Sequence, residues 1–278
     1  MDHNWIVSEV AERDALLRDC AERRFRISAA TRVSGHDVDL EVYRAANLRD
    51  WASLLDLTSG SGAFLLELRT RWHHEGMLVS VSPDPGERSH QSAASGEADV
   101  IAASAGALPF EDECFDGVFL RRCELVDEAG RTPHTVDQLL AEMRRVVRPA
   151  GRAIVVAPSR TNLRHTIEFQ RRLSLEIPEL GVAQRARPAL LAESATEILG
   201  PIFGPLESRV LNDYLHFRCI EVYLDYFDTT RCDYLQEPGE DLWREAMSRV
   251  RGWASAIFDT RRALAEPLSS TVFVATVL

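Results

Sequence analysis

The chain has 278 residues, 45% hydrophobic and 27% charged, a formal net charge of -11, and no lysine: all 32 basic residues are arginine. That composition fits an ordinary soluble globular protein. The length allows one large α/β domain with a helical cap or two small domains, and the acidic balance excludes a broad nucleic-acid face, which needs a clustered positive field.

The missing lysine excludes Schiff-base chemistry, pyridoxal-phosphate enzymes and the phosphate-gripping lysine of P-loop NTPases. Cys20, Cys114, Cys123, Cys219 and Cys232 are scattered, with no C-x-x-C pair and no histidine at ligand spacing, so no metal site is expected. An odd, unpatterned set of cysteines predicts reduced thiols in a cytoplasm. Residues 1–13 include acids and lack the basic start and apolar run of a signal peptide. No apolar run is long enough to span a bilayer, so no membrane partner is expected.

Residues 1–50 read as amphipathic helix. Trp5, Val7, Val10, Leu16 and Leu17 recur among charges at near-helical spacing, and Leu40, Val42, Tyr43, Ala46 and Leu48 repeat the pattern. Such helices either pack on a sheet edge or cover a pocket. Next comes Leu54-Leu55-Asp56-Leu57-Thr58-Ser59-Gly60-Ser61-Gly62-Ala63-Phe64-Leu65-Leu66: a short buried strand, a turn of small residues, then an apolar-periodic helix. In that order they open a nucleotide-binding α/β domain, although an ordinary β–α turn without a ligand reads the same way. Gly60 and Gly62 let a ligand approach the main chain, and the helix start offers unpaired N–H groups.

Met77–Val81 predicts a second strand, ended by Ser82-Pro83-Asp84-Pro85-Gly86. Val100–Ala103 predicts a third, followed by Ser104-Ala105-Gly106. A fourth runs through Phe115–Phe119, and a fifth strand spans Ala153–Ala157. This strand–helix alternation predicts a parallel sheet built from βαβ units. Two helical stretches, about 160–200 and about 212–266, interrupt it.

Three segments carry a family resemblance. Asp56 and the small-residue turn resemble motif I of the class I S-adenosylmethionine (SAM)-dependent methyltransferases, with Thr58 where the first glycine usually stands. Leu108-Pro109-Phe110 through Phe115-Asp116-Gly117-Val118 resembles their LPF…FD-x-V signature. Glu142 to Gly151 resembles their E-x-x-R-V-L-x-P-G-G helix end, with Ala150 replacing one glycine. The match is good over about 50–160; Phe203–Leu211 and Ser270–Leu278 look like the sixth and seventh strands.

The resemblance implies a Rossmann-like, seven-stranded, mostly parallel sheet of order 3-2-1-4-5-7-6, its last strand antiparallel, with a helical cap and insertions. Over a single domain of residues 1–278 it implies an N-terminal lid (1–50), a cofactor-binding core (51–158), and an acceptor roof (159–200 and 212–266). SAM would be the cofactor and S-adenosylhomocysteine the product. Ser59, Gly60, Ser61 and Gly62, with Thr58, would pass the methionine portion, Asp56 would anchor its ammonium, and main-chain groups at Leu120 and Arg121 would complete that end. Ser82 and Pro83 stand where the family presents an acid to the ribose. Ser104, with Ala105 and Gly106, stands where it presents an aspartate to the adenine. A serine makes the weaker bond in both places.

On the acceptor side, Arg121 and Arg122 suit a carboxylate or other planar anion, or else they pair with Glu124 and Asp127. Tyr43, Arg122, Glu124 and Tyr214 are the substrate-contact candidates. His165 and His216 are the general-base candidates for a hydroxyl acceptor, although each reads more readily as a structural or surface histidine. Tyr214, Tyr223 and Tyr226 read as packing or as lining for an aromatic acceptor. The expected activity is methyl transfer to O, N or C of a small molecule, with no nucleic-acid partner and a homodimer as an open expectation. The rival readings are a cyclase-like enzyme that does not methylate and a degenerate methyltransferase-like subunit of a catalytic partner.

Overall fold

The computed structural model describes residues 19–20, 22–33, 38–57, 63–82, 99–121, 135–183, 190–234 and 238–278. Seven strands form one sheet: β1 Leu54–Asp56, β2 Leu78–Ser82, β3 Asp99–Ala102, β4 Phe115–Leu120, β5 Val147–Pro158, β6 Leu206–Phe217 and β7 Leu264–Thr276. Their order is β3-β2-β1-β4-β5-β7-β6, as the sequence led us to expect. β1 lies parallel between β2 and β4, β2 pairs parallel with β3, and β4 with β5. The last strand, β7, runs antiparallel to β5, with Pro158 opposite Ser270. All three β1 residues are buried, as an interior parallel strand covered on both faces requires.

The described helices after residue 37 are α1 Val38–Ala46, α2 Ala63–Thr70, α3 Val136–Val146, α4 Arg164–Glu176, α5 Ala192–Phe203, α6 Ile220–Asp228 and α7 Glu240–Arg261. Residues 22–31 are also helical.

Strand ends differ from the sequence reading by one residue in β2, β3 and β4, and by more in β5, β6 and β7. The helix end that the resemblance puts within 142–151 falls at Val146, because Pro149 cannot continue it and Ala150 turns to φ 62°, where its N–H donates to the Val277 carbonyl. Residues 147–152 therefore begin β5 rather than end the helix. Phe203 closes α5 instead of opening β6; Gly204, at φ 80°, is the stop. β6 and β7 are both longer than expected, because each carries residues of two compact units.

One unit comprises residues 36–160, 188–212 and 269–278 and holds most of the sheet. Side-chain alternation divides its core. Leu55, Val118, Val155 and Phe273 pack with Leu140 and Met143 of α3 and Leu199 of α5. Leu54, Phe119, Ile154 and Val274 pack with Val42 of α1 and Phe64 and Leu68 of α2.

The other unit comprises residues 1–35, 161–187 and 213–268 and is mainly helical. Phe169, Phe217, Tyr223, Tyr226, Phe227 and Trp243 are buried in its core. Tyr223 and Tyr226 thus serve packing. The Arg24 guanidinium ties helical residues 22–31 to this core through Thr229 Oγ1 at 3.0 Å and Asp233 at 3.1 Å.

Candidate functional site

In a parallel sheet, ligands bind at the carboxyl ends of strands where the strand order reverses. Here that place is the end of β1, flanked by β2 and β4. Asp56 closes β1, and its side chain is fully buried. Leu57 N–H donates to the Phe119 carbonyl, which brings the ends of β1 and β4 together. Leu120 ends β4 buried, and Arg121 follows it.

The Arg121 side chain occupies this edge. Its Nη2 and Nε donate to Asp56 Oδ2 at 3.0 and 3.2 Å, and its Nη1 donates to Asp39 Oδ1, in the first turn of α1, at 2.7 Å. The guanidinium carbon lies 4.0 Å from the centre of the Phe64 ring. Only 11% of the Arg121 side chain is exposed. Burial disfavours its charge, but Asp56 and Asp39 together hold its pKa above the ordinary arginine value. The sequence offered either an anionic ligand or the nearby Glu124 and Asp127 as partners for this arginine. The fold supplies two carboxylates from distant parts of the chain instead, and nothing in the local sequence signalled that pairing.

Ser104 lies half-buried just past β3. Its carbonyl accepts from Ala107 N–H at 3.0 Å and its Oγ from Gly106 N–H at 3.3 Å, so Ser104, Ala105 and Gly106 form a tight turn. Ser82 is the last residue of β2, opposite Ala102. Thr58, Ser59, Gly60, Ser61, Gly62, Pro83, Arg122 and Glu124 lie outside the described residues.

Tyr43, on α1, stacks on Trp72 with ring centres 5.6 Å apart, and its hydroxyl lies 3.1 Å from His74 Nδ1. His74 Nε2 donates to the Ala52 carbonyl at 2.8 Å, which fixes the proton on Nε2 and leaves Nδ1 to accept from Tyr43. Burial lowers the His74 pKa.

His165, His216 and Tyr214 belong to the helical unit. His165 stands in the first turn of α4. Its Nδ1 is 3.3 Å from Glu266 Oε2, and the Arg164 guanidinium is 3.4 Å from its Nε2. A guanidinium can only donate, so Nε2 accepts and Nδ1 carries the proton toward Glu266. Glu266 is fully buried and also accepts from the His165 amide (2.9 Å), the Thr166 amide (2.6 Å) and Thr166 Oγ1 (2.6 Å). Sequence reading missed Glu266, since nothing around Ala265-Glu266-Pro267 marks it as more than a surface acid. His216 is half-buried on β6, and Tyr214 is exposed beside it.

The structure also brings together two free cysteines that look scattered in sequence, Cys20 and Cys232. Among the described residues no His/Cys/Asp/Glu group is placed to hold a metal, and no helix is long and apolar enough to cross a membrane.

The motif residues of the methyltransferase resemblance hold the scaffold. Glu142 Oε2 accepts from Leu108 N–H at 2.8 Å and binds Arg145 in a bidentate pair, and Arg145 also reaches the Leu108 and Phe110 carbonyls. Asp116 accepts from the Ser53 amide at 2.7 Å, the Ser53 hydroxyl at 2.8 Å and Arg148 at 2.8 Å. Burial works against its charge, but these donors hold Asp116 below the usual carboxylate range.

Sheet order, antiparallel last strand and a buried acid at the end of the first strand together define the Rossmann-like fold of the class I SAM-dependent methyltransferases. Residues 55–155 match the family profile described as a methyltransferase domain. It is 34% identical over 142 residues to a demethylmenaquinone methyltransferase of Roseiflexus castenholzii, an alignment covering 48% of this chain and 56% of that one. The chain therefore spans little more than half the length of this curated relative. A candidate methyltransferase from an antibiotic biosynthesis pathway of Anabaena variabilis shares the fold with a TM-score of 0.59 at 14% identity, covering 86% of this chain and 96% of that one. Phosphoethanolamine N-methyltransferase 2 of Haemonchus contortus, solved with S-adenosyl-L-methionine, shares it with a TM-score of 0.51 at 16% identity, covering 87% and 53%.

The donor set at the end of β1 fits the amino end of that cofactor in chemistry. Asp56 is a buried carboxylate that already holds a nitrogen cation, and an ammonium offers the same charge and the same kind of donor.

Proposed function

We propose that the chain transfers a methyl group from SAM to O, N or C of a small molecule. The observation that carries this reading is Asp56: a fully buried carboxylate at the strand-order switch of a methyltransferase sheet. Asp56 would hold the cofactor's ammonium. Main-chain groups at Leu120 and Arg121 would complete the methionine end, with Thr58 to Gly62 passing beneath it. Ser82 and Pro83 would face the ribose, and Ser104 to Gly106 the adenine. Bound there, SAM supplies a methyl group activated by its sulfonium. The protein's part is to bind, align and exclude water, which needs no nucleophilic side chain.

A small-molecule acceptor is supported by the chain's negative charge and by relatives whose names refer to demethylmenaquinone and phosphoethanolamine. For a hydroxyl acceptor, His165 is the favoured base, because Glu266 orients it with Nε2 as the accepting nitrogen; His216 is the second candidate. Tyr43, Arg122, Glu124 and Tyr214 remain the proposed acceptor contacts. The helical insertions supply the acceptor side, residues 1–50 a lid, and the thiols point to a cytoplasmic setting.

Incubation with methyl-labelled SAM and a panel of phenols, quinols, amines and hydroxy acids tests the assignment. Label transfer to at least one acceptor is expected, together with calorimetric binding of S-adenosylhomocysteine. Binding with no transfer across the panel would favour a non-methylating enzyme.

The Arg121–Asp56 pair favours one other reading, a methyltransferase-like subunit that serves a partner, because a resident cation already occupies the acid. Absence of binding to both adenosyl ligands at millimolar concentration would establish that alternative.

A further inference from the structure

Arg121 satisfies both oxygen-rich neighbours at the edge of β1: two of its nitrogens are on Asp56, one is on Asp39, and its flat face is on Phe64. A cation held this way is pre-placed on the carboxylate that the cofactor's ammonium needs. The two cannot share Asp56 at short range without like-charge repulsion in a site largely closed to water. Asp39, in contrast, is 42% exposed and can keep its bond to Nη1 if the rest of the guanidinium moves off Asp56.

We propose that Arg121 is an internal competitor of the cofactor's ammonium, released from Asp56 onto Asp39 when cofactor binds. The inference rests on the SAM-binding reading above. It makes Arg121 a determinant of cofactor affinity, with Asp39 on α1 as the carboxylate that receives the displaced side chain.

The test is calorimetric binding of S-adenosylhomocysteine, which carries the ammonium, and of methylthioadenosine, which lacks the amino-acid portion. Arg121→Gln removes the charge but keeps an N–H donor for Asp56, so the fold is preserved; thermal unfolding checks this. Arg121→Gln is expected to tighten S-adenosylhomocysteine by about ten- to a hundredfold, the equivalent of one charge-assisted hydrogen bond. Methylthioadenosine should change by less than about threefold. Asp39→Asn should act with the opposite sign, weakening S-adenosylhomocysteine alone, because the carboxylate that receives the displaced guanidinium is gone.

Weaker S-adenosylhomocysteine binding by Arg121→Gln would overturn the proposal and show that the arginine grips the cofactor's carboxylate. Equal shifts for both ligands would also overturn it, pointing to a reshaped pocket. If neither protein binds either ligand, the SAM-binding reading fails and takes the competition with it, an outcome distinct from a reversed sign. Binding by Arg121→Gln but not by the wild type would be the strongest support.

Discussion

Replacing Glu266 by alanine tests whether the buried acid organises the start of α4. Leu163, at the N-cap position, lies at φ 48° and makes no side-chain cap bond, so the helix cannot satisfy its own first amides. Glu266 does so from β7, accepting from the His165 and Thr166 amides and the Thr166 hydroxyl at 2.6–2.9 Å. Removing it strands two amides near the protein interior, at roughly 1–3 kcal/mol each. It also removes a negative charge from a helix N-terminus, worth up to about 2 kcal/mol where partly buried. Some of this is offset because a buried carboxylate no longer has to be desolvated, which leaves a net loss of about 3–5 kcal/mol, the range for breaking a buried charged cluster. At about 2–4 °C per kcal/mol for a chain of this size, the unfolding midpoint should fall by roughly 10 °C. Scanning calorimetry of Glu266→Ala and Glu266→Gln gives the reading, with glutamine losing about half as much because it keeps one acceptor oxygen. A loss under about 1 kcal/mol for alanine would refute the capping argument.

His74 carries a pH prediction: burial lowers its folded pKa, so the unfolded chain binds the proton first. Stability should therefore be complete above about pH 6.5 and decline as the pH falls below it, by up to about 1.4 kcal/mol per unit. His74→Asn should flatten that decline in urea titrations at pH 5–7, and an unchanged slope would contradict it. Ala150→Gly should stabilise by about 0.5–1 kcal/mol, since φ 62° strains any side chain; a destabilised variant would show the strain is absorbed elsewhere. Glu142→Ala should expose the Leu108 amide to rapid hydrogen exchange and cost about 1–3 kcal/mol, while retained protection would mean another group accepts from it.

How much of this was legible in sequence depends on how local each cause is. Strand–helix alternation and the apolar period of α1 are set by near neighbours, and they were readable to within a few residues; the stop at Gly204 was not, since Phe203–Leu211 looked like one strand. The lengths of β6 and β7 were not, because each runs past the stretch whose residues marked it as a strand. The Arg121–Asp56–Asp39 cluster and the Glu266 cap join residues more than 60 positions apart, and no spacing rule reaches that far.

The segments that made the family recognisable are those whose work is structural. Leu108, Glu142 and Arg145 lock one loop to one helix; Asp116, Ser53 and Arg148 lock β4 to the turn before β1. Each lock uses charge-assisted bonds of fixed geometry, so losing one partner costs stability whatever reaction the domain performs. Such a signature reports the sheet and says little about the ligand. The chemistry is decided instead where this chain departs from the family pattern: serines at the ends of β2 and β3, and a guanidinium on the acid of β1. On the proposed reading, those departures would all reduce the pull on a cationic, ribose-bearing cofactor. Either the proposed cofactor binds weakly because of Arg121, or the sheet serves another purpose; tighter S-adenosylhomocysteine binding by Arg121→Gln supports the first, and absence of binding by both proteins the second.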